Sequence, residues 1–549
     1  MRKKQAPGSG GNTTAALTRR DVLVMGAAAA TSLCLPIRFI RNARAQTASS
    51  EQYNQSVIGQ LPDFYISPTA NPANDGKTNT GSLSAPWSIN ALNTQASVYQ
   101  GKVVGLMNGT YSLYTILGLP GAGGFSGGNW ISVIPGSNSG TYTTPTIIVA
   151  QTPLGAIIDG QRAAIYAADP TLDWGEGLLG PGTYNSGHYG SGLIIDGLMY
   201  KGGNYRFITN YGGAYPSGRG GNGDNGCDYL TVRNCYFTDL SYITAQLTGK
   251  NTAEVYSEGS YHIYIQNCRF DTFDAPSDGY RQAGIQFYSP TLDTIVENCT
   301  ITAPPDGGNL VYWKAGAAPG HQQAVLQNCY LDSSLVASGY GSTPVMTDGC
   351  TVTTDTFQIY NNILIAGQGS PAIWFDNTGV DGYQGTWEFH DNTIVGNWSG
   401  KGMIYSTDNW NNKPLAVNFY NNIVAPSSGG GQAGDFQVPV ISEISEVNYN
   451  LYPTVVHFGV GNSSTYSTLT AWQSATSTAG HAADANSAQG NPLFVATGTE
   501  AGYYQLASGS PALTLAADGG QIGAWRGASQ IGSTIGGGPL PDAPQVSVS

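Results

Sequence analysis

A four-residue phrase recurs down the middle of this 549-residue chain. It begins with Asn or Asp, continues with Cys or Asn, and ends with an apolar residue. The seven copies start at Asn234, Asn267, Asn298, Asn328, Asn361, Asp391 and Asn421, so that successive starts are 33, 31, 30, 33, 30 and 30 residues apart. A fixed period in this range is typical of stacked repeats, in which each unit buries its apolar face against its neighbours.

The residues around the phrase indicate what kind of unit is stacked. Short alternating runs such as 261–265 and 415–419 precede it, rich in β-branched and aromatic residues and bounded by Gly, Ser and Asp. No helical period is sustained between these runs. A repeat of strand, sharp turn, strand and loop predicts a parallel β-helix.

The phrase also predicts which side chains point inward. Its fourth residue is always apolar, and the residue two positions earlier lies on the same face by the strand period of two. This earlier position forms a column, called here the ladder column: Cys235, Cys268, Cys299, Cys329, Asn362, Asn392 and Asn422. We expect its Asn side chains to hydrogen-bond along the stack, and Cys is small and readily buried in the same place.

The repeat resembles right-handed parallel β-helix proteins of the pectate-lyase-like group, which carry an Asn ladder at such a corner. The segment from Phe64 to Trp87 resembles the first coil of bacterial members, and the segment from Asn491 to Ala524 resembles their closing coil. The resemblance implies an all-β, right-handed parallel β-helix (solenoid) over residues 63–525, with a short N-terminal capping helix at residues 88–95. Residues 46–62 are then a linker, and residues 526–549, rich in Gly, Pro and Ser, a flexible tail.

The N-terminus predicts export. Arg19 and Arg20 precede an apolar run that ends at Ile37, and Ala43-Arg44-Ala45 offers a cleavage site between small residues. Residues 1–45 are therefore predicted to be a twin-arginine signal peptide, read by the twin-arginine export machinery, with a periplasmic or secreted product. The run is shorter than the roughly 20 apolar residues that a membrane span needs.

The net charge of the predicted mature chain argues against two classes of binding partner. Residues 1–45 hold eight of the 22 basic residues and one of the 35 acidic ones, so the mature chain has 14 basic and 34 acidic residues and a net charge of −20. Nucleic acid and anionic membrane surfaces are poor partners for such a chain. Four of the six cysteines of the mature chain occupy successive ladder positions and are interpreted as packing residues, with disulfides as the alternative in an exported protein. None of the six has metal-ligand spacing.

The candidate catalytic and binding residues lie in the middle coils. Eight of the 14 basic residues of the mature chain fall between residues 201 and 314, together with several carboxylates. Larger charged loops explain this equally well. If Ile285, Phe287, Ile373 and Phe375 point inward, strand alternation places Gln286, Tyr288, Trp374 and Asp376 on one outer face. The register of residues 310–314 is ambiguous, and Tyr312 and Lys314 are placed on the same face because burying an unpaired Lys is costly. These polar and aromatic side chains are suited to stacking and hydrogen-bonding a sugar. An ordinary aromatic ladder that stabilises neighbouring strands explains them equally well.

The resemblance implies a polysaccharide lyase acting on an acidic, uronate-containing glycan by β-elimination. Such enzymes commonly use Ca²⁺, for which Asp239, Asp274 and Asp278 offer oxygen ligands. Lys314, Arg281 and Lys250 are candidate bases.

Two other functions fit the same sequence. A glycoside hydrolase needs only a pair of carboxylates, and candidates abound. A non-catalytic glycan-binding or structural envelope β-helix also fits, because the catalytic motifs of polygalacturonases, of the main pectate lyase family and of alginate epimerases are absent from this chain.

Overall fold

Each copy of the phrase marks the corner where a coil turns from one sheet into another. The computed structural model describes residues 61–71, 73, 76, 80–119, 129–136, 144–170, 172, 177–182, 190–211, 227–240, 252–273, 283–288, 291–303, 308–314, 323–335, 343–348, 356–367, 370–376, 385–396, 403–406, 415–426, 433–438, 444–454, 456–460, 464–497 and 501–535. The predicted signal peptide, most of the linker and the last 14 residues lie outside these ranges.

Three long parallel sheets, called here A, B and C, run the length of the described chain. A coil visits sheet A, passes the phrase, continues in sheet C, and returns through sheet B, as in Cys227–Arg233, Tyr236–Leu240 and Ala253–Glu258. Each strand pairs in parallel with the strand one coil away, which confirms the predicted parallel β-helix.

Sheet A has twelve strands that precede the corner. They are Phe64–Ile66, Val103–Leu106, Thr146–Ala150, Gly190–Asp196, Cys227–Arg233, Tyr261–Gln266, Leu292–Glu297, Gln323–Gln327, Thr356–Tyr360, Gly385–His390, Leu415–Tyr420 and Ile444–Asn448.

Sheet C has twelve strands that follow the corner. They are Gly109–Ser112, Ala156–Asp159, Met199–Lys201, Tyr236–Leu240, Arg269–Phe273, Thr300–Thr302, Tyr330–Asp332, Ile363–Ile365, Thr393–Gly396, Ile423–Pro426, Leu451–Tyr452 and Ala488–Gln489.

Sheet B has ten strands, and a separate pair, Asn129–Val133 and Gly177–Pro181, precedes it. The ten are Ile208–Tyr211, Ala253–Glu258, Ala283–Tyr288, Asn309–Lys314, Val345–Asp348, Ile373–Asp376, Ile404–Ser406, Ala433–Val438, Val456–Val460 and Ser464–Tyr466. Only the last pairs antiparallel with its neighbour among these.

Helices are few and short in the described ranges. They are Ala91–Thr94, Ala96–Tyr99, Leu113–Leu117, Arg162–Ala168 and Leu469–Thr478, with 3₁₀ turns at Ala501–Tyr504 and Pro511–Leu513. The single capping helix predicted at residues 88–95 is not confirmed, because this segment contains the first of two separate four-residue helices. None of the described helices has the length and apolar character to cross a membrane.

The backbone conformation at this corner explains why Asn or Asp stands there. The first residue of every copy has φ between 49° and 56°, the left-handed region that Asn and Asp tolerate better than other side chains. The following ladder residue is fully buried in all seven copies. Asn362, Asn392 and Asn422 hydrogen-bond to one another through their amides, and Asn450 continues the column one coil further.

The cysteines of the column pack as predicted. Cys227, Cys235, Cys268, Cys299 and Cys329 are buried free thiols, and Cys350 lies outside the described residues. Cys268, for example, donates from Sγ to the carbonyl oxygens of Gln266 and Val232, at 3.3 and 3.6 Å.

The C-terminal segment packs further than predicted. Gly523 N, Gly532 N and Thr534 N donate to Asn421 O, Asn328 O and Asn267 Oδ1 at 2.8–2.9 Å, so the chain runs back along the corner across successive coils. Residues 526–535, assigned to a flexible tail from their composition, therefore lie hydrogen-bonded against the β-helix. Composition led to a wrong prediction for these residues, because small residues also suit a segment that packs closely along the turns of the β-helix.

Candidate functional site

Sheet B presents two faces with different roles. Ile285, Phe287, Val311 and Trp313 point into the main core, as strand alternation requires. The residues between them point away from it and are in register across six strands. They form a row, called here the outer row: Thr209, Tyr256, Gln286, Tyr312, Met346 and Trp374.

The outer row is covered, although it lies outside the main core. Gln286, Tyr312 and Met346 have no exposed surface, and Tyr256 and Trp374 retain only 3% and 5%. The large apolar members form a second cluster with Ala253 and Ala283. Alternation predicted the orientation of this row correctly. The open, solvent-exposed aromatic face expected from the sequence is not found, because alternation carries no information about what covers a face.

Gln286 is the most unusual member of the row. Neither Oε1 nor Nε2 of its buried amide has a hydrogen-bond partner among the described residues. Tyr256 and Tyr312 occupy the same position on the two neighbouring strands, about 4.8 Å away on each side. A buried polar group without a partner costs on the order of 1–3 kcal/mol.

Further unsatisfied polar atoms lie along the same sheet. Thr209 Oγ1 belongs to the outer row, and Asn309 reaches Met346 in that row with its Nδ2 group while its Oδ1 atom has no partner among the described residues. Together with Gln286, these atoms extend over several successive coils, in the direction of the stack.

Two described cations flank the row. The guanidinium of Arg206 lies 3.5 Å from the ring centre of Tyr256, and Lys314 Nζ lies 5.6 Å from Tyr288 and 6.0 Å from Tyr312. Rings at these distances stabilise a positive charge. Glu258, on the same face, accepts a hydrogen bond from Tyr256 Oη at 2.5 Å.

The structure brings together part of the predicted site. Gln286, Tyr312 and Trp374 lie in the outer row, and Tyr288 and Lys314 are paired neighbours in the adjacent row. Asp376 aligns with Lys314 through the intervening strand, but its side chain lies outside the described part. Lys250, Arg281, Asp274 and Asp278 also lie outside the described residues.

Asp239 does not belong to this face. It stands on sheet C, and its carboxylate pairs with Arg162 at 2.7 Å. Within the described ranges no three His, Cys, Asp or Glu side chains are placed to hold a metal ion together. Because Asp274 and Asp278 lie outside the described residues, the predicted Ca²⁺ site stays a prediction.

The charge cluster between residues 201 and 314 is divided among the sheets. Arg233 pairs with Asp196 at 2.9 Å on sheet A, and on sheet C Arg269 pairs with Asp271 at 2.5 Å and Lys201 with Asp159 at 3.3 Å. Of the described basic residues in that interval, only Arg206 and Lys314 lie against the outer row. Clustering in sequence overstated the charge of the candidate site, since neighbouring residues in a coil belong to different sheets.

Glu254, a buried acid, was not selected as a site residue from the sequence. Glu254 is fully buried, neither carboxylate oxygen has a hydrogen-bond partner, and burial, followed by the charge of Asp271, raises its pKa well above the usual value. The strand of this coil that pairs in sheet B is Ala253–Glu258, which the sequence analysis did not identify.

No protein-family model matches the chain, and no curated protein does. Three solved structures illustrate the likeness of fold. Pectate lyase Pel9A is 14% identical with a TM-score of 0.46, and the match covers 84% of this chain and 96% of that one. A mannuronic acid specific family 6 polysaccharide lyase from human gut microbiota is 11% identical, TM-score 0.34, covering 73% and 82%. A tailspike protein of E. coli bacteriophage HK620 is 13% identical, TM-score 0.34, covering 67% and 69%.

Proposed function

We propose that this protein is an exported polysaccharide-active β-helix that binds a uronate-containing glycan on the outer face of sheet B, at the partly exposed row beside the outer row, and cleaves it by β-elimination. The observation that carries the proposal is the partly exposed ring of Tyr288 next to the ammonium of Lys314, in register with the carboxylate of Glu258. Sugars stack their C–H surfaces on aromatic rings and exchange hydrogen bonds at their edges, and such a site supplies both kinds of contact.

Acidity of the glycan is supported by the two cations. Arg206 and Lys314 lie against the outer row, while the one described carboxylate beside them, that of Glu258, is engaged by Tyr256. The mature chain is strongly acidic elsewhere, so these cations are where a uronate carboxylate finds favourable charge.

Lys314 suits binding better than the role of base that the sequence suggested. The two tyrosine rings near its ammonium favour the charged form, and a charged ammonium has no lone pair to accept a proton. In β-elimination, the carboxylate beside the reacting carbon gains charge as the proton leaves. A fixed cation near it lowers that barrier.

The test measures binding and cleavage with the mature chain, starting at Gln46. A panel of uronate polymers, with neutral glucans and xylans for comparison, is assayed by the ultraviolet absorbance of the unsaturated product. We expect a uronate polymer to be bound and cleaved. Lys314→Met should weaken its binding about tenfold, whereas Lys102→Met, at an exposed lysine on an early coil, should leave it unchanged.

The outcomes separate the candidate functions. Binding without cleavage makes the protein a glycan-binding β-helix, and release of saturated sugars makes it a glycoside hydrolase. If no uronate polymer binds, the proposal is wrong.

A further inference from the structure

A second column of left-handed residues crosses sheet A, away from the ladder corner. Gly192, Tyr229, His262 and Asp293 are in register on four successive coils and have φ of 85°, 56°, 58° and 59°. Each lies at or near the start of its strand, and His262 and Asp293 follow closely after the sheet B strands Ala253–Glu258 and Ala283–Tyr288.

Only Tyr229 in this column is of a type that the left-handed backbone disfavours, since Gly adopts it freely and Asp and His are enriched there. Glycine at 192 is the usual solution for a positive φ, and the ladder corner uses Asn or Asp in all seven copies of the phrase. Tyrosine is bulky and disfavoured in this region. Side chains retained against a backbone preference indicate that their chemistry is needed there.

The side chains of the column are in contact. The rings of Tyr229 and His262 stack with centres 4.2 Å apart, and His262 Nδ1 is hydrogen-bonded to a carboxylate oxygen of Asp293. The side chains of His262 and Asp293 are 33% and 29% exposed. No group in the described part of the chain is hydrogen-bonded to the other ring nitrogen, Nε2.

This arrangement prepares an imidazole to accept a proton. A carboxylate only accepts hydrogen bonds, so Asp293 holds the proton of the neutral ring on Nδ1 and leaves the lone pair on Nε2. Asp293 also stabilises the imidazolium that forms once Nε2 takes a proton. The column therefore has the elements of a general base with a carboxylate that orients it.

The column lies one sharp turn from the outer face of sheet B. Only Gly259, Ser260 and Tyr261 separate His262 from Glu258, which stands on that face. Four residues span at most about 14 Å, so a glycan bound to sheet B passes within reach of His262.

We propose, resting on the proposed function, that His262 is the base of the β-elimination, with Tyr229 as the acid and Asp293 as the positioning residue. His262 Nε2 takes the proton from the carbon next to the uronate carboxyl. The electron pair of that C–H bond forms the new C=C bond, and the glycosidic C–O bond breaks. The leaving oxygen receives the proton of the Tyr229 hydroxyl, and the proton on His262 returns to Tyr229 through water.

Two features of the site support these roles. The C–H bond and the leaving oxygen are on neighbouring carbons, so acid and base must be a few Å apart, as stacked rings are. Burial, followed by the charges of Asp228 and Asp293, raises the pKa of Tyr229, which keeps its hydroxyl protonated. The same two carboxylates make this corner negative, so the substrate carboxylate must face the cations Lys314 and Arg206.

The test compares kcat, KM and oligosaccharide affinity of the mature protein and its variants. His262→Asn is chosen because Asn tolerates the left-handed backbone. It should lower kcat about 10²- to 10⁴-fold on the polymer cleaved by the wild type, and Tyr229→Phe should lower it about 10²-fold. Asp293→Asn should lower kcat about tenfold or more with KM little changed, and should alter the pH profile of kcat.

His390→Gln is the matched control. That imidazole also stacks on aromatic rings, Tyr360 and Tyr420, and its Nδ1 lies 2.9 Å from the carboxylate of Asp391, but it belongs to a later part of sheet A. Its kcat should equal that of the wild type. Circular dichroism and thermal unfolding confirm that each variant is folded.

The results distinguish this inference from the function on which it rests. If the wild type cleaves a uronate polymer and folded His262→Asn retains a third or more of kcat, the assignment of the base is wrong and the function stands. If His262→Asn loses oligosaccharide affinity in proportion to activity, His262 binds and does not transfer the proton, which also overturns the inference. A wild type that cleaves no uronate polymer overturns both.

Discussion

Asn392 donates a hydrogen bond from Nδ2 to Oδ1 of Asn422, 3.1 Å away and one coil further along the stack. Its own Oδ1 accepts from both the backbone N and the Nδ2 group of Asn362, each at 3.1 Å, in the preceding coil. Each amide thus satisfies backbone and side-chain groups of its neighbours. The ladder column binds adjacent coils together at the one corner where every coil must turn sharply.

Replacing Asn392 by Leu should therefore destabilise the fold. The substitution leaves buried donors of Asn362 and the acceptor Oδ1 of Asn422 without this partner, and each such group costs on the order of 1–3 kcal/mol. We expect a free energy of unfolding lower by about 3 kcal/mol in denaturant titrations. Cys268→Ser, at the same position of another coil, should cost less. An Asn392→Leu protein with unchanged stability would contradict the placement of the ladder.

The fold could be predicted from the sequence because the corner motif repeats in each coil. A left-handed residue followed by a buried small polar or thiol side chain is a local requirement, and the same requirement recurs in every coil. Asn450 was missed because Tyr449 replaces the initial Asn while keeping a positive φ of 56°. The parallel pairing and the orientation of the sheet B side chains followed from that register.

The candidate site could be predicted only in part from the sequence. Alternation placed Gln286 and Tyr312 on the outer face, but it gave no indication that both are buried there. Arg206 and Glu258 were not selected as site residues. Arg206 contacts Tyr256 from a different coil, and Glu258 belongs to a strand that the sequence did not predict. The contact between His262 and Asp293 joins residues 31 apart, and no local pattern indicates it.

Export is predicted from the paired arginines at the N-terminus. Arg19→Lys combined with Arg20→Lys keeps the charge but removes the pair read by the twin-arginine receptor. We expect the precursor to accumulate in the cytoplasm, detected by fractionation and immunoblotting, while the unmodified chain yields a mature form that starts near Gln46. Normal export of the double variant would show that another route is used.

Gln286→Leu should stabilise the protein and leave glycan binding unchanged. The substitution removes a buried amide that has no hydrogen-bond partner among the described residues and keeps a side chain of similar size among Tyr256 and Tyr312. We expect the free energy of unfolding to rise by about 1–2 kcal/mol. Affinity for the glycan, measured by calorimetry, should equal that of the wild type, since Gln286 has no exposed surface.

The matched control for this variant is Gln358→Leu. The Gln358 amide lies on sheet A and donates to Glu388 at 3.2 Å, so its loss should not raise stability and should leave binding unchanged. A Gln286→Leu protein that is less stable than the wild type would contradict the absence of hydrogen-bond partners for this amide in the described part of the chain.

The last prediction concerns Asp228, whose carboxyl is buried beside the His262 column. Burial raises its pKa from 3.8 to about 6, despite the hydrogen bond from Tyr261 N at 2.8 Å and the nearby His262. The folded protein therefore holds this proton to a higher pH than the unfolded chain. Between about pH 4 and 6 the folded state binds more protons, so the contribution of Asp228 to stability decreases as pH rises.

Asp228→Asn should remove that decrease. Asn keeps the oxygen that accepts from Tyr261 N but carries no charge to bury. A shift of about two pKa units corresponds to roughly 3 kcal/mol, so the variant should exceed the wild type by up to this amount at pH 7 and match it near pH 3.5. Urea titrations at several pH values measure the difference. A difference that is constant with pH would show that Asp228 titrates at its ordinary value in the folded protein.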